Sequence, residues 1–305
     1  MGRRTKEERR QQRKHVVLKD AGITEKTQLR YYIAVGKLLP HLESVKTTLQ
    51  MDEAICQWIQ ERWEDGESLH IVSDALCGLH HYEPWTKRTI PQSWRLFSTW
   101  RKLEGPDRAP PLTSQIIYSW CNYAIEHKQL YFSSLLALGF FALLRTGELM
   151  QVCACDILIG QDNGIVSLRD TKTGKRDNAA EMVMFDDPLT VDLLSTVVAL
   201  QKDLGLTQVP IWPHSAQKFR DVFAHYTRRF DLAQHQFRPY SLRRGGATAL
   251  FQATGSMEAA LLKGRWSSPR VAKIYISDAL SYLPGLTFSN KAKEMLRRWS
   301  PSSTH

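Results

Sequence analysis

The sequence predicts a mainly α-helical protein with a small antiparallel β-sheet, an α+β fold divided into two domains. Apolar residues recur at helical spacing through 24–103. The segment 104–112 is rich in proline and charge and breaks this pattern, as a linker does. Beyond it, three short β-prone segments stand among further helical ones. We therefore expect a helical domain over 20–103, a linker over 104–112 and a mixed domain over 113–305.

The helical domain is predicted from its periodicity and from the absence of strand signals. Leu29, Tyr32, Val35 and Leu38 recur every three residues, as one face of a helix requires. Further helices are predicted near 69–79 and 91–102. The tryptophans of this half are expected in its core: Trp58, Trp63, Trp85, Trp94 and Trp100.

The N-terminal segment 1–19 is strongly basic and has almost no apolar residue before Val16. Such a run cannot bury enough surface to order itself, so we expect a disordered arm. Its role stays open between a DNA-contacting arm, a nuclear address and a solvated tail.

The mixed domain is predicted to open with helices at 114–126 and 131–145. Strands are then expected at 156–159, 164–168 and 182–185, with Asp162-Asn163-Gly164 as a hairpin signal. Asp187 and Pro188 form an N-cap and first-turn pair. The helices expected after them lie at 188–202, 215–230, 240–252, 257–263 and 291–299, with a short one from Ser268 that carries Tyr275.

The 305-residue chain has a formal net charge of +10 and an isoelectric point of about 9.4, which favours a polyanionic partner such as nucleic acid. No apolar run reaches the roughly 20 residues that span a bilayer. We expect an intracellular, DNA-associated protein without a membrane partner. The five cysteines are scattered, and buried thiols are favoured over a metal site at Cys153 and Cys155.

Three segments of the second half carry residues suited to phosphate chemistry. The first is Leu143-Leu-Arg145-Thr-Gly-Glu148-Leu, and the second is Tyr240-Ser-Leu-Arg243-Arg-Gly-Gly-Ala-Thr248. The third is Gly264-Arg-Trp266, with Tyr275 nine residues beyond the tryptophan.

These segments resemble, in order and separation, the three signature boxes of the tyrosine recombinase (phage-integrase-type) family. The turn at Lys172-Thr-Gly, between two predicted strands, matches the lysine position of that family. The resemblance covers 113–285. It implies a catalytic domain there, a core-binding domain in the helical first half, and a C-shaped clamp on DNA.

The resemblance also implies a division of catalytic roles. Tyr275 would attack the DNA phosphorus and form a 3′-phosphotyrosine, which stores the bond energy so that no cofactor is needed. Lys172 would protonate the departing 5′-oxygen. Arg145 and Arg243 would hold the non-bridging phosphate oxygens through forked, charge-assisted hydrogen bonds.

The remaining predicted site residues support this chemistry. Trp266 would donate its indole N–H to a phosphate oxygen while packing against the nucleophile's helix. Glu148 would orient the site. Tyr240 stands where the family most often has histidine, and a phenol with an ordinary pKa near 10 is a poor base at neutral pH.

Alternatives stay open at several positions. Arg244, beside Arg243, is interpreted as a surface charge; Lys175 competes with Lys172, and Tyr282 competes with Tyr275. The helix predicted at 291–299 packs either on its own chain or on a neighbouring protomer.

The function implied by the resemblance is site-specific DNA recombination through a Holliday junction. The expected partners are double-stranded DNA and further copies of the chain, a dimer on each site and a tetramer in synapsis. A type IB topoisomerase or hairpin-forming resolvase, and a DNA-binding protein of the same fold with lost or reduced catalysis, are the alternatives.

Overall fold

The described chain, residues 5–14, 21–105, 107–169, 181–266 and 268–300 of a computed structural model, is mostly helical. It divides into two units, Met1–Asp107 and Arg108–His305. The first unit contains the helices α1 Lys6–Arg13, α2 Glu25–Leu38, α3 Thr48–Glu64, α4 Leu69–Tyr82 and α5 Pro91–Leu103.

The second unit contains nine helices and three strands among its described residues. The helices are α6 Ser114–Glu126, α7 Leu130–Phe141, α8 Thr146–Leu149, α9 Pro188–Asp203, α10 Ala216–Arg229, α11 Tyr240–Thr254, α12 Met257–Gly264, α13 Pro269–Tyr282 and α14 Asn290–Trp299. The strands are β1 Ile157–Ile159, β2 Gly164–Leu168 and β3 Glu181–Phe185.

The first unit is a helical bundle closed around the apolar faces of α2 to α5, with Leu38, Ile55 and Leu76 fully buried. Asp52 of α3 is buried as well and accepts the backbone N–H groups of Gln92 and Ser93 at 2.9 Å each. Because the first N–H groups of a helix have no partner within it, this carboxylate caps α5 and ties it to α3.

Trp85 is the one tryptophan of this half for which the core prediction is wrong. Its side chain is 54% exposed, in the short 3₁₀ turn that follows α4. The indole N–H donates to the Glu83 carboxylate at 2.8 Å, so the ring is held by a neighbouring side chain at the surface.

Disorder was expected throughout 1–19, yet Lys6–Arg13 form the exposed helix α1. Thr5 accepts the backbone N–H of Glu8, and the Glu8 carboxylate accepts the N–H of Thr5, a reciprocal capping box. Acidic residues in the first turn and basic ones in the last also suit the helix dipole. The capping box and the favourably placed charges thus stabilise a helix that buries little surface. Residues 1–4 and 15–19 lie outside the described residues.

The sheet is antiparallel in the order β1-β2-β3, as the sequence predicts. Val166 pairs with Ile157 on one side and Val183 on the other, and all three are buried. The turn between β1 and β2 is closed by the Gly160 N–H, which donates to the Asn163 carbonyl at 2.7 Å. The hairpin predicted from Asp162-Asn163-Gly164 is confirmed.

Helix α7 runs through the core of the second unit, and α11 packs directly on it. A Cβ added at Gly246 would lie 1.9 Å from the Phe140 carbonyl oxygen, and one at Gly245 would lie 2.1 Å from the Leu112 carbonyl oxygen. The two glycines therefore allow a backbone approach that no side chain could permit. This close approach fixes the position of Arg243, which precedes the two glycines on α11.

The helix predicted at 131–145 ends earlier than expected, at Phe141. Leu143 adopts a left-handed conformation with φ of 53° although its side chain is buried. Arg145 is consequently extended and precedes α8, where the sequence analysis expected it to end α7. The helix carrying Tyr275 is likewise longer than the short one predicted, with 14 residues.

Helix α14 packs against α6 of its own chain. Ala292 and Leu296 are buried there. The Ser119 hydroxyl donates to the Leu296 carbonyl at 2.9 Å, and the Asn122 amide donates to the Trp299 carbonyl at 2.8 Å. Of the two arrangements predicted for the C-terminal helix, the structure has the one in which it packs on its own chain. Within the described chain, every helix is too short or too polar to cross a membrane.

Candidate active site

Arg145 and Glu148 form the first part of the site, at the start of α8. The Glu148 carboxylate accepts the backbone N–H of Arg145 at 2.8 Å and its guanidinium at 2.6 Å. The carboxylate is nearly inaccessible, whereas the Arg145 side chain keeps 32% of its surface exposed. Glu148 therefore fixes both ends of Arg145 and leaves about a third of its side chain accessible.

Arg265, which is not among the predicted site residues, completes this ion-pair cluster. It donates at 2.7 Å to the Glu148 oxygen that also accepts the Arg145 N–H, and it lies 3.4 Å from Glu181 at the start of β3. Its backbone is left-handed, with φ of 52°, at the end of α12. The only sequence signal was its place between Gly264 and Trp266 of the third segment.

The charge state of Glu148 follows from these contacts. Burial raises the pKa of its carboxyl, but the charge of Arg265 and the hydrogen bonds from Arg145 and Arg265 outweigh burial and hold that pKa below its usual value. Glu148 is therefore a carboxylate that accepts hydrogen bonds and has no proton to give at neutral pH.

Arg243 is a buried cation at the centre of the site, with 1% of its surface exposed. Its guanidinium donates to the backbone carbonyls of Leu143 and Gly264 and lies 4.9 Å from the centre of the Trp266 ring. Burial, followed by the charges of Arg145 and Arg265, lowers the pKa of Arg243 to about 10. The residue remains a cation at neutral pH, at an energetic cost.

Both carbonyls that accept from Arg243 lie beside residues with left-handed backbones. Leu143 has φ of 53°, and Gly264 directly precedes Arg265. A left-handed conformation at a residue other than glycine costs about 1–3 kcal/mol and concentrates at functional sites. Here the left-handed backbones turn the carbonyl oxygens of Leu143 and Gly264 towards the Arg243 guanidinium.

Tyr240 and Tyr275 meet through their hydroxyl groups, which share a hydrogen bond. Tyr240 is the first residue of α11, and Tyr275 lies on the second turn of α13. The Trp266 ring packs against Tyr275, with centroids 5.3 Å apart and ring planes 30° from parallel. Burial and then the hydrogen bond to Tyr275 raise the pKa of Tyr240, which therefore keeps its proton.

Six of the seven predicted site residues are thus joined by direct contacts or by close charges. They are Arg145, Glu148, Tyr240, Arg243, Trp266 and Tyr275. Lys172 and its competitor Lys175 lie outside the described residues. Tyr282, the competitor of Tyr275, instead lies near the backbone carbonyl of His235.

The interpretation of Arg244 as a surface charge is wrong. Only 2% of the residue is exposed, because its guanidinium points between the segment at Ala109 and helix α13. The neighbouring Arg243 points in a different direction from α11, since consecutive helical residues are about 100° apart. Sequence position alone could not reveal the acceptors that hold Arg244 inside.

The cluster has an excess of positive charge. Three guanidiniums, those of Arg145, Arg243 and Arg265, are accompanied by the carboxylates of Glu148 and Glu181. A buried cation without a full complement of anions favours binding of a further anion. Arginine forks suit a phosphate in particular.

One group among the described residues has metal-ligand character, the cluster of Cys153, Cys155 and Asp156, whose ligand atoms lie within 4.8 Å of one another. Asp156 accepts the Arg169 guanidinium at 2.6 Å through one oxygen and the Cys153 N–H at 3.0 Å through the other. These partners occupy both carboxylate oxygens. None of the predicted site residues belongs to this group.

Solved structures of DNA-bound integrases are similar to this chain in fold. A lambda integrase tetramer bound to a Holliday junction matches with a TM-score of 0.59 at 17% identity, covering 90% of this chain and 76% of that one. The chain has the tyrosine recombinase fold. The Tn1549 transposon integrase, in complex with transposon right end DNA, matches with a TM-score of 0.59 at 13% identity, covering 96% of each chain.

The tyrosine recombinase fold confirms the predicted fold class, mainly helical with a small antiparallel sheet. No protein-family model matches the sequence, and no curated protein matches it either. At these low identities the likeness establishes the fold, whereas the chemistry depends on the residues of the site.

Proposed function

We propose that this chain is a site-specific DNA recombinase, which cuts and rejoins DNA through a 3′-phosphotyrosine intermediate. The observation that carries the proposal is the contact between Tyr275 and a buried, cation-rich site. The phenol of Tyr275 is held by Tyr240 and Trp266, and Trp266 also packs against the buried Arg243. A nucleophile and an anion-binding group are thereby brought together.

The scissile phosphate would bind to Arg145 and Arg243. The difference between 12.5 and about 10 for the Arg243 pKa corresponds to roughly 3 kcal/mol against the charged form in the free protein. A phosphate anion would recover part of this cost. Since negative charge on the phosphoryl oxygens peaks in the transition state, these guanidiniums stabilise that state most.

Cleavage would form one bond and break another. The Tyr275 oxygen attacks phosphorus and gives its proton to solvent water, while the bond from phosphorus to the 5′-oxygen breaks. Lys172, assigned through the resemblance, supplies a proton to the departing oxygen. The reverse attack by a 5′-hydroxyl from a partner strand reseals the DNA, so neither a nucleotide nor a metal cofactor is required.

Tyr240 would act as a hydrogen-bond donor and not as a base, since burial raises its pKa. Its hydroxyl would hold the Tyr275 oxygen and then a phosphate oxygen as the reaction proceeds. Trp266 would donate its indole N–H to the phosphate. Glu148 stays ionised and keeps Arg145 in position.

The proposed partners are double-stranded DNA and further copies of the chain. Lambda integrase is seen as a dimer bound to a core site and as a tetramer bound to a Holliday junction. We propose the same assembly here, with a dimer on each site, a tetramer in synapsis and strand exchange through a Holliday junction. The protein would act in association with DNA inside the cell.

The proposal is tested by trapping the covalent intermediate. The full chain is incubated with DNA flanking its own coding sequence and with a library of duplexes of randomised sequence, each nicked so that cleavage releases a short strand. Complexes that survive denaturing detergent are then sequenced. We expect such complexes with the wild type and with Tyr282→Phe, and none with Tyr275→Phe.

Other outcomes of this experiment favour the alternatives. Sequence-specific, salt-sensitive binding without any covalent complex would indicate a DNA-binding protein of the same fold. Relaxation of supercoiled plasmid by a monomer, without sequence preference, would indicate a topoisomerase. A covalent complex formed by Tyr275→Phe would show that the nucleophile is a different residue.

A further inference from the structure

Arg244 lies next to the proposed phosphate-binding Arg243 but contacts a different part of the molecule. Its guanidinium donates to the Ala109 carbonyl at 2.5 Å and is hydrogen-bonded and ion-paired with Asp278. It also reaches the Tyr275 carbonyl at 3.4 Å and lies 5.9 Å from the centre of the Tyr275 ring. Two of its partners therefore belong to the proposed nucleophile itself.

These contacts constrain one face of helix α13. Tyr275 and Asp278 are three residues apart, so they lie one above the other on that face. A single guanidinium holds the backbone of one and the carboxylate of the other. Because its other end is anchored at Ala109, α13 is restrained from rotating about its axis or sliding along it.

A second arginine acts on the same carboxylate. Arg108 lies 3.9 Å from Asp278, directly before Ala109 in the chain. Asp278 is 44% exposed, so an ion pair at its surface alone would contribute little to stability. The other partners of the nearly buried Arg244 side chain are the Ala109 carbonyl and Tyr275.

We propose that Arg244 is a positioning residue, which holds Tyr275 in the orientation required for attack on the phosphate bound by Arg243. The inference rests on the proposed function. Within one turn of α11, one guanidinium binds the electrophile and the next fixes the nucleophile's helix. A displacement of about 1 Å in a reacting group can lower a rate by about 100-fold. Loss of the Arg244 contact is therefore expected to slow the cleavage step.

The test separates DNA binding from cleavage. The full-length wild type, Arg244→Gln and Arg244→Lys are compared on a duplex recovered by the trapping experiment, with the dissociation constant and the single-turnover rate of covalent complex formation measured. We expect Arg244→Gln to bind within about twofold of wild type and to cleave about 100-fold more slowly. Arg244→Lys keeps the charge and should recover about tenfold of that loss.

Arg229→Gln is the matched control. Arg229 lies 5.9 Å from the centre of the Tyr123 ring, the same distance as Arg244 from Tyr275, and it is exposed. We expect this variant to cleave at the wild-type rate. If Arg244→Gln does not fold, Asp278→Asn replaces it, with a smaller loss of rate and unchanged binding expected.

Each result has a separate meaning. Equal cleavage rates in wild type and Arg244→Gln would overturn the positioning role while leaving the proposed function intact. A loss of DNA binding equal to the loss of rate would also overturn it, because a group that only orients the nucleophile leaves binding unchanged. If the wild type itself forms no covalent complex with any duplex, the proposed function fails, and a role for Arg244 in cleavage fails with it.

Discussion

At the scale of single residues, the site differs from the pattern it resembles mainly at Tyr240. A histidine at that position could exchange a proton near neutral pH. Tyr240 is held protonated by burial and by its hydrogen bond to Tyr275. The structure therefore favours a hydrogen-bond donor there, and this difference gives a testable pH dependence.

Substitution of Tyr240 distinguishes a hydrogen-bond donor from a residue that exchanges a proton at this position. Tyr240→Phe removes a hydrogen bond to the nucleophile, and we expect cleavage about 10-fold to 100-fold slower. Because the pKa of Tyr240 is raised, its titration should not appear in the wild-type rate between about pH 6 and 9. Tyr240→His should add an inflection near the ordinary histidine value of about 6.5. A wild-type inflection in that range that disappears in Tyr240→Phe would contradict the assignment.

Ionised Glu148 is expected to stabilise the folded protein through its ion pairs with Arg145 and Arg265. Its folded-state pKa is depressed, so its contribution is fully present above the ordinary carboxyl value and is lost as pH falls through the folded-state value. Glu148→Gln leaves Arg265 and Arg145 without their shared anion, and we expect a loss of about 3 kcal/mol in the free energy of unfolding at pH 7. Urea denaturation at neutral pH and below the ordinary carboxyl value measures it.

The matched control for this change is the exposed Glu294 of α14. Glu294→Gln should alter the free energy of unfolding by less than about 0.5 kcal/mol. The difference between wild type and Glu148→Gln should shrink in acid. A difference that is independent of pH would argue against an ionised Glu148.

At the scale of elements, the position of the site depends on the contact between α7 and α11. Gly246 of α11 lets the two backbones touch, so that Arg243 reaches the carbonyl of Leu143 just beyond the end of α7. The left-handed turn at Leu143 and the close contact between α7 and α11 therefore depend on each other.

Gly246→Ala tests this contact. The added methyl group would lie 1.9 Å from the Phe140 carbonyl oxygen, so α11 would have to move away from α7. We expect a loss of about 2–3 kcal/mol in the free energy of unfolding. Gly36→Ala is the control, because nothing lies within 4 Å of its added Cβ and its helix should gain up to about 1 kcal/mol. Equal effects of the two substitutions in urea denaturation would contradict the close approach.

Local signals were sufficient to predict many of the elements. The Asp187 cap, the hairpin before Gly164 and the start of α5 at Pro91 agree with the structure because each depends on neighbouring residues. The end of α7 could not be predicted this way. Leu143 is held left-handed by packing and by Arg243, which is 100 residues away.

The site was predictable only in part for the same reason. The three segments identified Arg145, Arg243 and Tyr275 through their order and spacing. Arg244 and Arg265 have equally strong contacts, but their acceptors come from distant segments. Residue type and spacing indicate chemistry, whereas the groups that orient this chemistry appear only after folding.

At the scale of the whole molecule, the proposed DNA partner has a consequence for the effect of salt. The chain has the fold of DNA-bound integrases and a formal net charge of +10. If DNA is bound through its phosphates, binding must release counterions and weaken with salt.

The salt dependence of binding is therefore a prediction for the full chain. We expect its affinity for duplex DNA to fall by about 1,000-fold between 50 and 200 mM salt, as about six phosphate contacts would require. Fluorescence anisotropy on a labelled duplex measures this slope. Affinity that does not change with salt would contradict a phosphate-contacting surface.

The most direct test of the central claim is to locate the protein–DNA bond. A trapped complex is digested with nuclease and trypsin, and the nucleotide-bearing peptide is fragmented in a mass spectrometer. We predict a 3′-linked nucleotide on Tyr275, within the peptide 274–291 that also contains Tyr282. A nucleotide on Tyr282 or Tyr240, or none on any tyrosine of a cleaved complex, would contradict it.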